Sequence, residues 1–304
     1  MNMFFVIGAQ KSGTTALWQY LRMHPEVNMP LCKEAPYFAS RAMRDRGWDQ
    51  FWSEYFPHKQ SAKIAGTATP QYMCHPDSAK HIAQMFPKAK LIALLRNPIH
   101  RAVSHYKMAV QRGHETRPFS VAITEQLRPE ALNEARMLDL DSMAPDEHIN
   151  AYLAWGEYKR MMQTFRICFS DEQFLFLTHQ ELLRDRARAL EKVLKFLGVD
   201  DQFVPPNLNQ EFHTNQPRAI RSVLSRLAVN VIKSVAKPLV PKQTHRALKF
   251  WVKTTLQGGH SQVRLPKSLY EDLRSHFDED IIWVKRELGL ELDDGQSVDR
   301  DLFL

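Results

Sequence analysis

The stretch from Phe4 to Leu17, FFVIGAQKSGTTAL, constrains this chain more than any other, because it joins a strand, a phosphate-sized loop and a helix start. Met3 to Ile7 is a short apolar run suited to a buried parallel strand. Gly8 and Gly13 bracket a turn that needs small residues for close backbone approach. From Thr14 the apolar positions Ala16, Leu17, Tyr20 and Leu21 recur at helical spacing, which predicts a helix ending near His24-Pro25. Thr14 and Thr15 put hydroxyls where the first helical amides lack internal partners. A strand, loop and helix of this kind offers amide donors and a positive dipole end to an anion.

The loop departs from the triphosphate-binding pattern G-x-x-x-x-G-K-[ST] in one informative way. Thr14 follows Gly13, and the lysine falls earlier, at Lys11, inside the loop. The later apolar strand, Leu91 to Leu95, ends in Arg96 rather than in a magnesium-holding aspartate. A cation in the metal's place favours a ligand whose phosphates are neutralised by side chains, with no divalent metal required. In an open α/β sheet the carboxyl end of a strand is where ligands bind, so Arg96 is placed for a phosphate. Its planar fork suits that contact.

A chain of 304 residues with 44% hydrophobic content can bury one large α/β core. We read a single domain over 1–304, with a core of about 3–200 and a basic helical annex over about 216–290. Cys32, Cys74 and Cys168 are odd in number and far apart, so neither a disulfide framework nor a C-x-x-C metal site is suggested. No run approaches the roughly 18 apolar residues of a membrane span, and a core strand starts at once, which predicts a cytoplasmic protein. The net charge of +7 is localised: between Glu211 and Glu271 lie eleven Lys or Arg residues and no acid. That interval holds Arg218 and Arg221 and two amphipathic stretches, Ile220 to Val235 and Thr244 to Leu256. Two readings stand for it: contact with an anionic membrane surface through residues 218–256, or a helical pair packed on the core that holds an anionic glycan or a phosphate. A nucleic-acid partner is not expected, since aromatic interleaving and any known reading module are absent.

Other elements follow in order. Trp48, Phe51, Trp52, Tyr55 and Phe56 form an aromatic stripe at helical spacing, read as core. Lys63 to Tyr72 reads as a strand running into a turn at Pro70, and Asp77 to Phe86 as a helix. After Asn97-Pro98 a helix carries Arg101, Ser104 and His105 on successive turns, with Arg101 open to a structural salt-bridge role. His105 and His114 are read as ordinary polar residues. Residues 111–147 break into short amphipathic pieces, and a helix is predicted from near Ile149. Phe174 to Leu177 is the last clear strand, followed by an HQELLRD turn and an Arg184 to Leu197 helix closed by Gly198. Pro266 to Leu288 is a closing amphipathic helix, with an acidic tail beyond it.

GAQKSGTTAL together with LLRNPIHRAVSHY (94–106) resembles the two phosphosulfate-binding signatures of sulfotransferases that use 3'-phosphoadenosine 5'-phosphosulfate (PAPS). The resemblance spans residues 3 to 200 most closely. It implies a P-loop-like, three-layer α/β sandwich with a central parallel sheet flanked by helices. It further implies that Lys11, Ser12, Gly13, Thr14 and Thr15 hold the 5'-phosphosulfate, and that Arg96 and Ser104, eight residues apart, clamp the 3'-phosphate. A basic residue beyond the last strand, Arg218 or Arg221, would complete that pocket. LCKEAPYF is similar to the K-E-x-x-F-F stretch of the heparan-type branch, which makes Glu34 the expected base, with Lys11 the other catalytic group. Lys33 and Glu34 are equally readable as a solvated pair before Pro36. Where heparan 3-O-sulfotransferases carry a lysine in E-K-T-P, this chain has Ala68, with Thr67 before it, while Thr69 and Tyr72 remain pocket candidates. Tyr158, in GEYKRMMQTF, either approaches the cofactor or is a buried structural tyrosine. The reaction implied is sulfuryl transfer from PAPS to a hydroxyl or amine of a carbohydrate, glycolipid or small molecule, leaving 3',5'-adenosine bisphosphate. The alternative is a P-loop kinase acting on a small molecule.

Overall fold

The computed structural model describes residues 2–137, 150–210, 212 and 265–292. Its framework is a parallel sheet in the order β2-β3-β1-β4-β5. The strands are β1 (Asn2–Gly8), β2 (Val27–Asn28), β3 (Ile64–Ala68), β4 (Lys90–Leu95) and β5 (Phe174–Thr178). Between and after them run α1 (Thr14–Leu21), α2 (Arg41–Asp45), α3 (Trp48–Tyr55), α4 (Gln71–Cys74), α5 (Ser78–Met85), α6 (Pro98–Arg112), α7 (Phe119–Gln126) and α8 (Pro129–Arg136). The order continues with α9 (Tyr158–Cys168), α10 (His179–Arg184), α11 (Arg186–Leu197) and α12 (Lys267–Leu288).

The unbroken apolar run of β1 is explained by its place between β3 and β4, covered on both faces. Phe5 and Ile7 face a layer containing Phe38, Tyr72 and Phe165. Phe4 and Val6 face the other layer, with Leu17, Leu21, Leu190 and Leu194. Phe4, Phe5, Val6 and Ile7 are all 0% exposed, each contributing about 1.5–3 kcal/mol by burial. Helices therefore flank a central parallel sheet on both sides, the three-layer arrangement expected. A third cluster joins α6 and α7 to α12 through Ile99, Val103, Phe119, Trp155, Leu273 and Phe277. The aromatic stripe of α3 is core: Phe51 is buried, Trp48 packs on Tyr37 and Phe38, and Trp52 stacks on Phe56.

Several boundaries differ from expectation. The first helix stops at Leu21, because the His24 ring turns the chain by bonding the Asp200 carbonyl at 2.8 Å and accepting from Glu26 N. The helix expected from near Ile149 begins at Tyr158, since Ala151 to Trp155 are drawn into the third cluster instead. HQELLRD is a helix, α10, fixed by a reciprocal capping box between Thr178 and Glu181. α11 starts at Arg186 behind the Asp185 cap and closes at Gly198 as expected. Arg218, Arg221, both amphipathic stretches of the basic interval and most of the acidic tail lie outside the described residues.

Candidate active site at the carboxyl ends of β1 and β4

The loop after β1 is held to the neighbouring strand by Ala9 N donating to the Leu94 carbonyl at 2.7 Å. Ser12 N then bonds back to the Ala9 carbonyl at 3.2 Å, closing the turn. Gly13 sits at φ +99°, and a Cβ there would meet Leu182 Cδ2 at 2.8 Å. Glycine is thus required by both conformation and space. No side chain caps α1, whereas Asn97, Thr178 and Asp185 cap α6, α10 and α11. The first amides of α1 are left for a ligand, the feature that an anion cradle needs. Thr14 is buried and Thr15 half-buried at this end.

Lys11 takes φ +70° and Glu34 takes φ +65°, and among the described residues no other non-glycine residue has positive φ. Such backbones cost about 1–3 kcal/mol and persist where surrounding structure over-determines them, commonly at functional sites. Burial, followed by the charges of Arg112, Arg96 and Lys33, lowers the Lys11 ammonium to about 8, against a smaller upward pull from Glu34. Arg96 donates through Nη1 to the Lys11 carbonyl at 3.3 Å, joining the end of β4 to the loop. The backbone of Arg96 is in turn gripped by Tyr158, whose hydroxyl donates to the Arg96 carbonyl at 2.7 Å. Tyr158 is 0% exposed, so of its two expected roles the structure shows the buried, bracing one.

Glu34 comes from the segment before a short turn at Tyr37–Ala39. Its carboxylate accepts from Lys33 Nζ at 2.6 Å and from Gln71 Nε2 at 3.1 Å. The Glu34 side chain is 44% exposed and Lys33 only 13%, so the carboxylate remains open to an incoming molecule. Desolvation opposes its charge, but Lys33, the Gln71 hydrogen bond and Arg112 outweigh it and hold the carboxyl below its ordinary value. Lys33 and Glu34 do form a pair, and both lie within electrostatic reach of Lys11.

Ala68 is buried at the end of β3, so no cation projects from that position. Thr69 and Tyr72 are 0% exposed. Both donate to the Ala35 carbonyl, at 3.3 and 2.8 Å, so they are braces under the Glu34 segment rather than pocket walls. Ser104 lies buried on α6 and makes no hydrogen bond to the loop among the described residues. Arg101 is 0% exposed and donates to the Tyr152 carbonyl; among the described residues it has no carboxylate partner, so the salt-bridge alternative fails. His105 is buried against Trp155 and Tyr152, two members of the third cluster, unlike the ordinary polar residue expected.

Two contributors were missed. Gln71 opens α4 and orients Glu34. His179, at the carboxyl end of β5, lies 3.3 Å from the place a Gly13 Cβ would take. Burial, then Arg96, with His100 adding, holds its imidazole down to about 4, leaving it neutral at ordinary pH. Its position directly after a strand of the sheet was the available signal.

Lys11 in the loop after β1, Arg96 at the end of the adjoining strand β4 and the exposed Glu34 carboxylate are thus gathered on a P-loop-like α/β fold. The chain belongs to the sulfotransferase family: the Sulfotransferase domain model matches residues 2–284. Over 205 residues it is 33% identical to human bifunctional heparan sulfate N-deacetylase/N-sulfotransferase 3, covering 64% of this chain and 22% of the relative. Over 194 residues it is 26% identical to mouse heparan sulfate glucosamine 3-O-sulfotransferase 6, covering 64% of this chain and 51% of the relative. The chain thus spans between a fifth and a half of these relatives. A sulfotransferase structure from Alicyclobacillus acidocaldarius shares the fold, with TM-score 0.58 and 23% identity over 84% of this chain and 96% of that one. Among the described residues, no cluster of His, Cys, Asp or Glu is arranged to hold a metal, and no helix is long and apolar enough to cross a membrane.

Proposed function

We propose that this protein transfers a sulfuryl group from PAPS to a hydroxyl or amine of a carbohydrate, glycolipid or small-molecule acceptor, using Glu34 as general base. The observation that carries this reading is the pairing of Lys11 and Glu34. They share the left-handed backbone conformation, come from different loops, and lie within electrostatic reach of each other.

The site fits the donor. Uncapped amides at the start of α1, together with Lys11, Ser12, Gly13, Thr14 and Thr15, suit a 5'-phosphosulfate. Arg96, fixed by Tyr158, and Ser104 suit the 3'-phosphate. Arg218 is assigned to the same phosphate by resemblance alone. The bound donor supplies an activated sulfuryl group. Lys11 stabilises charge developing on the bridging oxygen, and Glu34, ionised at neutral pH, takes the acceptor's proton as attack proceeds. Lys33 and Gln71 keep that carboxylate aimed. The heparan sulfate named for the relatives supports a sugar acceptor here.

Calorimetric titration with 3',5'-adenosine bisphosphate, against ATP with magnesium, tests the reading. Metal-independent binding of the bisphosphate is the expected result. Preference for magnesium ATP would replace this reading with the small-molecule kinase.

A further inference from the structure

Residues 156–159 alternate in what they hold. Gly156 ends the short turn Ala154–Gly156, and a Cβ there would meet the Phe277 ring at 2.9 Å and Pro98 Cβ at 3.2 Å. Glu157 accepts from Arg136 of α8 at 2.6 Å and from Arg160 of α9 at 2.7 Å, with His276 of α12 at 3.5 Å. Tyr158 holds the amide and the carbonyl of Arg96 through its hydroxyl. The Lys159 amide donates to Asp280 of α12 at 2.8 Å. α12 is thus joined to this stretch on either side of the tyrosine that grips Arg96.

A second route from α12 to Arg96 runs through α6. Pro98 opens that helix two residues after Arg96, and it meets Phe277 in the space that a Gly156 side chain would fill. Glycine is required there by space, since neither a buried ring nor a proline can swing aside. Phe277 is fully buried and shares its cluster with Ile99 and Val103 of α6. Close-packed interiors transmit a displacement rather than absorb it, so the seat of α12 fixes the peptide groups around Arg96 from two directions. Arg96 Nη1 lies 3.3 Å from the Lys11 carbonyl, far enough out that a small turn of its backbone would break the contact. The loop after β1 is held from the sheet side instead, by the Leu94 carbonyl on Ala9 N and against Leu182.

Resting on the proposed sulfotransferase reading, we infer that Phe277 and Asp280 of α12 are positioning residues for Arg96. They act through residues 156–159 and Pro98, so that the seating of α12 sets the grip on the donor's 3'-phosphate while the grip on its 5' end is set by the loop.

The test titrates the full chain with 3',5'-adenosine bisphosphate and with adenosine 5'-monophosphate, which lacks the 3'-phosphate, and takes the ratio of the two affinities. The wild type is expected to prefer the bisphosphate by about ten-fold or more. Asp280→Ala and Phe277→Leu should each cut that ratio by about five-fold with little change in monophosphate affinity. Asp280→Asn, which keeps an acceptor for the Lys159 amide, should keep the wild-type ratio, and in an Arg96→Ala background Asp280→Ala should change it no further. A merely structural helix would lower both affinities in step or leave both unchanged, and either result would overturn the inference. So would an equal loss in Asp280→Asn, or a full effect of Asp280→Ala without Arg96. Should Phe277→Leu fail to fold, the two Asp280 variants decide. A wild type without preference for the bisphosphate removes the reading of the cleft and the inference with it, whereas a preference untouched by the α12 variants removes only the role of α12.

Discussion

The Tyr158 hydroxyl donates to the Arg96 carbonyl at 2.7 Å while the Arg96 amide approaches the same oxygen at 3.4 Å. One buried phenol therefore fixes the peptide groups on both sides of the arginine that reaches the loop. Burial pushes its pKa up to about 12, so it stays a donor. Tyr158→Phe would leave a buried carbonyl unpaired, at a cost of about 1–3 kcal/mol. A lowered midpoint in thermal unfolding, together with several-fold weaker bisphosphate binding, is expected. Unchanged values for both would show that Arg96 needs no such brace.

Lys11→Ala and Arg96→Ala should separate in kinetics. Loss of the Lys11 charge is expected to lower kcat by about 100-fold or more, since that charge acts where negative charge develops. Arg96→Ala should mainly weaken bisphosphate binding, by about ten-fold or more. Steady-state kinetics with titration of each variant checks this; equal bisphosphate affinity in Arg96→Ala and wild type would remove the phosphate role.

Bisphosphate binding should carry a proton signature. A Lys11 pKa of about 8, below its ordinary 10.5, leaves part of the free protein uncharged above pH 8. An incoming anion restores the charge, so protons are taken up on binding at pH 8.5, and affinity falls as pH rises through about 8. Calorimetry in buffers of different ionisation enthalpy reads the uptake. It should vanish in Lys11→Met, and its persistence there would assign it elsewhere.

Glu34→Gln keeps the shape and the Gln71 contact but removes the proposed base. A fall in turnover of about 100-fold or more, with bisphosphate affinity retained, is expected. Because the Glu34 carboxyl is held below 4.5, the acid limb of the wild-type rate profile should lie below that pH. An acid limb near neutrality would point to another base.

Asp280 of α12 accepts from Lys159 N at 2.8 Å and so caps α9 from a different helix. Burial, with Glu157 and Glu279 behind it, raises its carboxyl to about 6 from 3.8. The native state then binds more protons than the unfolded chain between these values, so stability falls as pH rises from about 4 to about 6. Asp280→Asn keeps the acceptor and should flatten that dependence, whereas Asp280→Ala loses the cap, at about 1 kcal/mol. Denaturant unfolding from pH 4 to 7 checks both; an unaltered slope in Asp280→Asn would exclude Asp280 as its source.

The parts legible in the sequence are those set by local pattern. The apolar run of β1, the position of Lys11 and the eight-residue step from Arg96 to Ser104 needed no distant partner to be recognised. α10 was legible too and was misread, for Thr178 and Glu181 spell a capping box. The rest depended on contacts far apart in the chain. Nothing near Gln71 in sequence marks it as the partner of Glu34, and His179 acquires its meaning only when β5 brings it beside Gly13. Thr69 and Tyr72 looked like pocket residues because they follow a strand, but the Ala35 carbonyl claims them.

The strand order gives the site a division of labour. Gln71, Thr69 and Tyr72 follow β3 and support Glu34, while Arg96 follows β4 and supports the loop, with β1 between them. Neighbouring strands in a sheet keep a spacing of about 4.8 Å. The distance between the Glu34 segment and the Arg96 end of the site is thus a property of backbone pairing, insulated from what the side chains at the rim become. On the proposed reading, residues around the Glu34 segment are free to diverge toward new acceptors while Arg96, mounted two strands away, keeps its place.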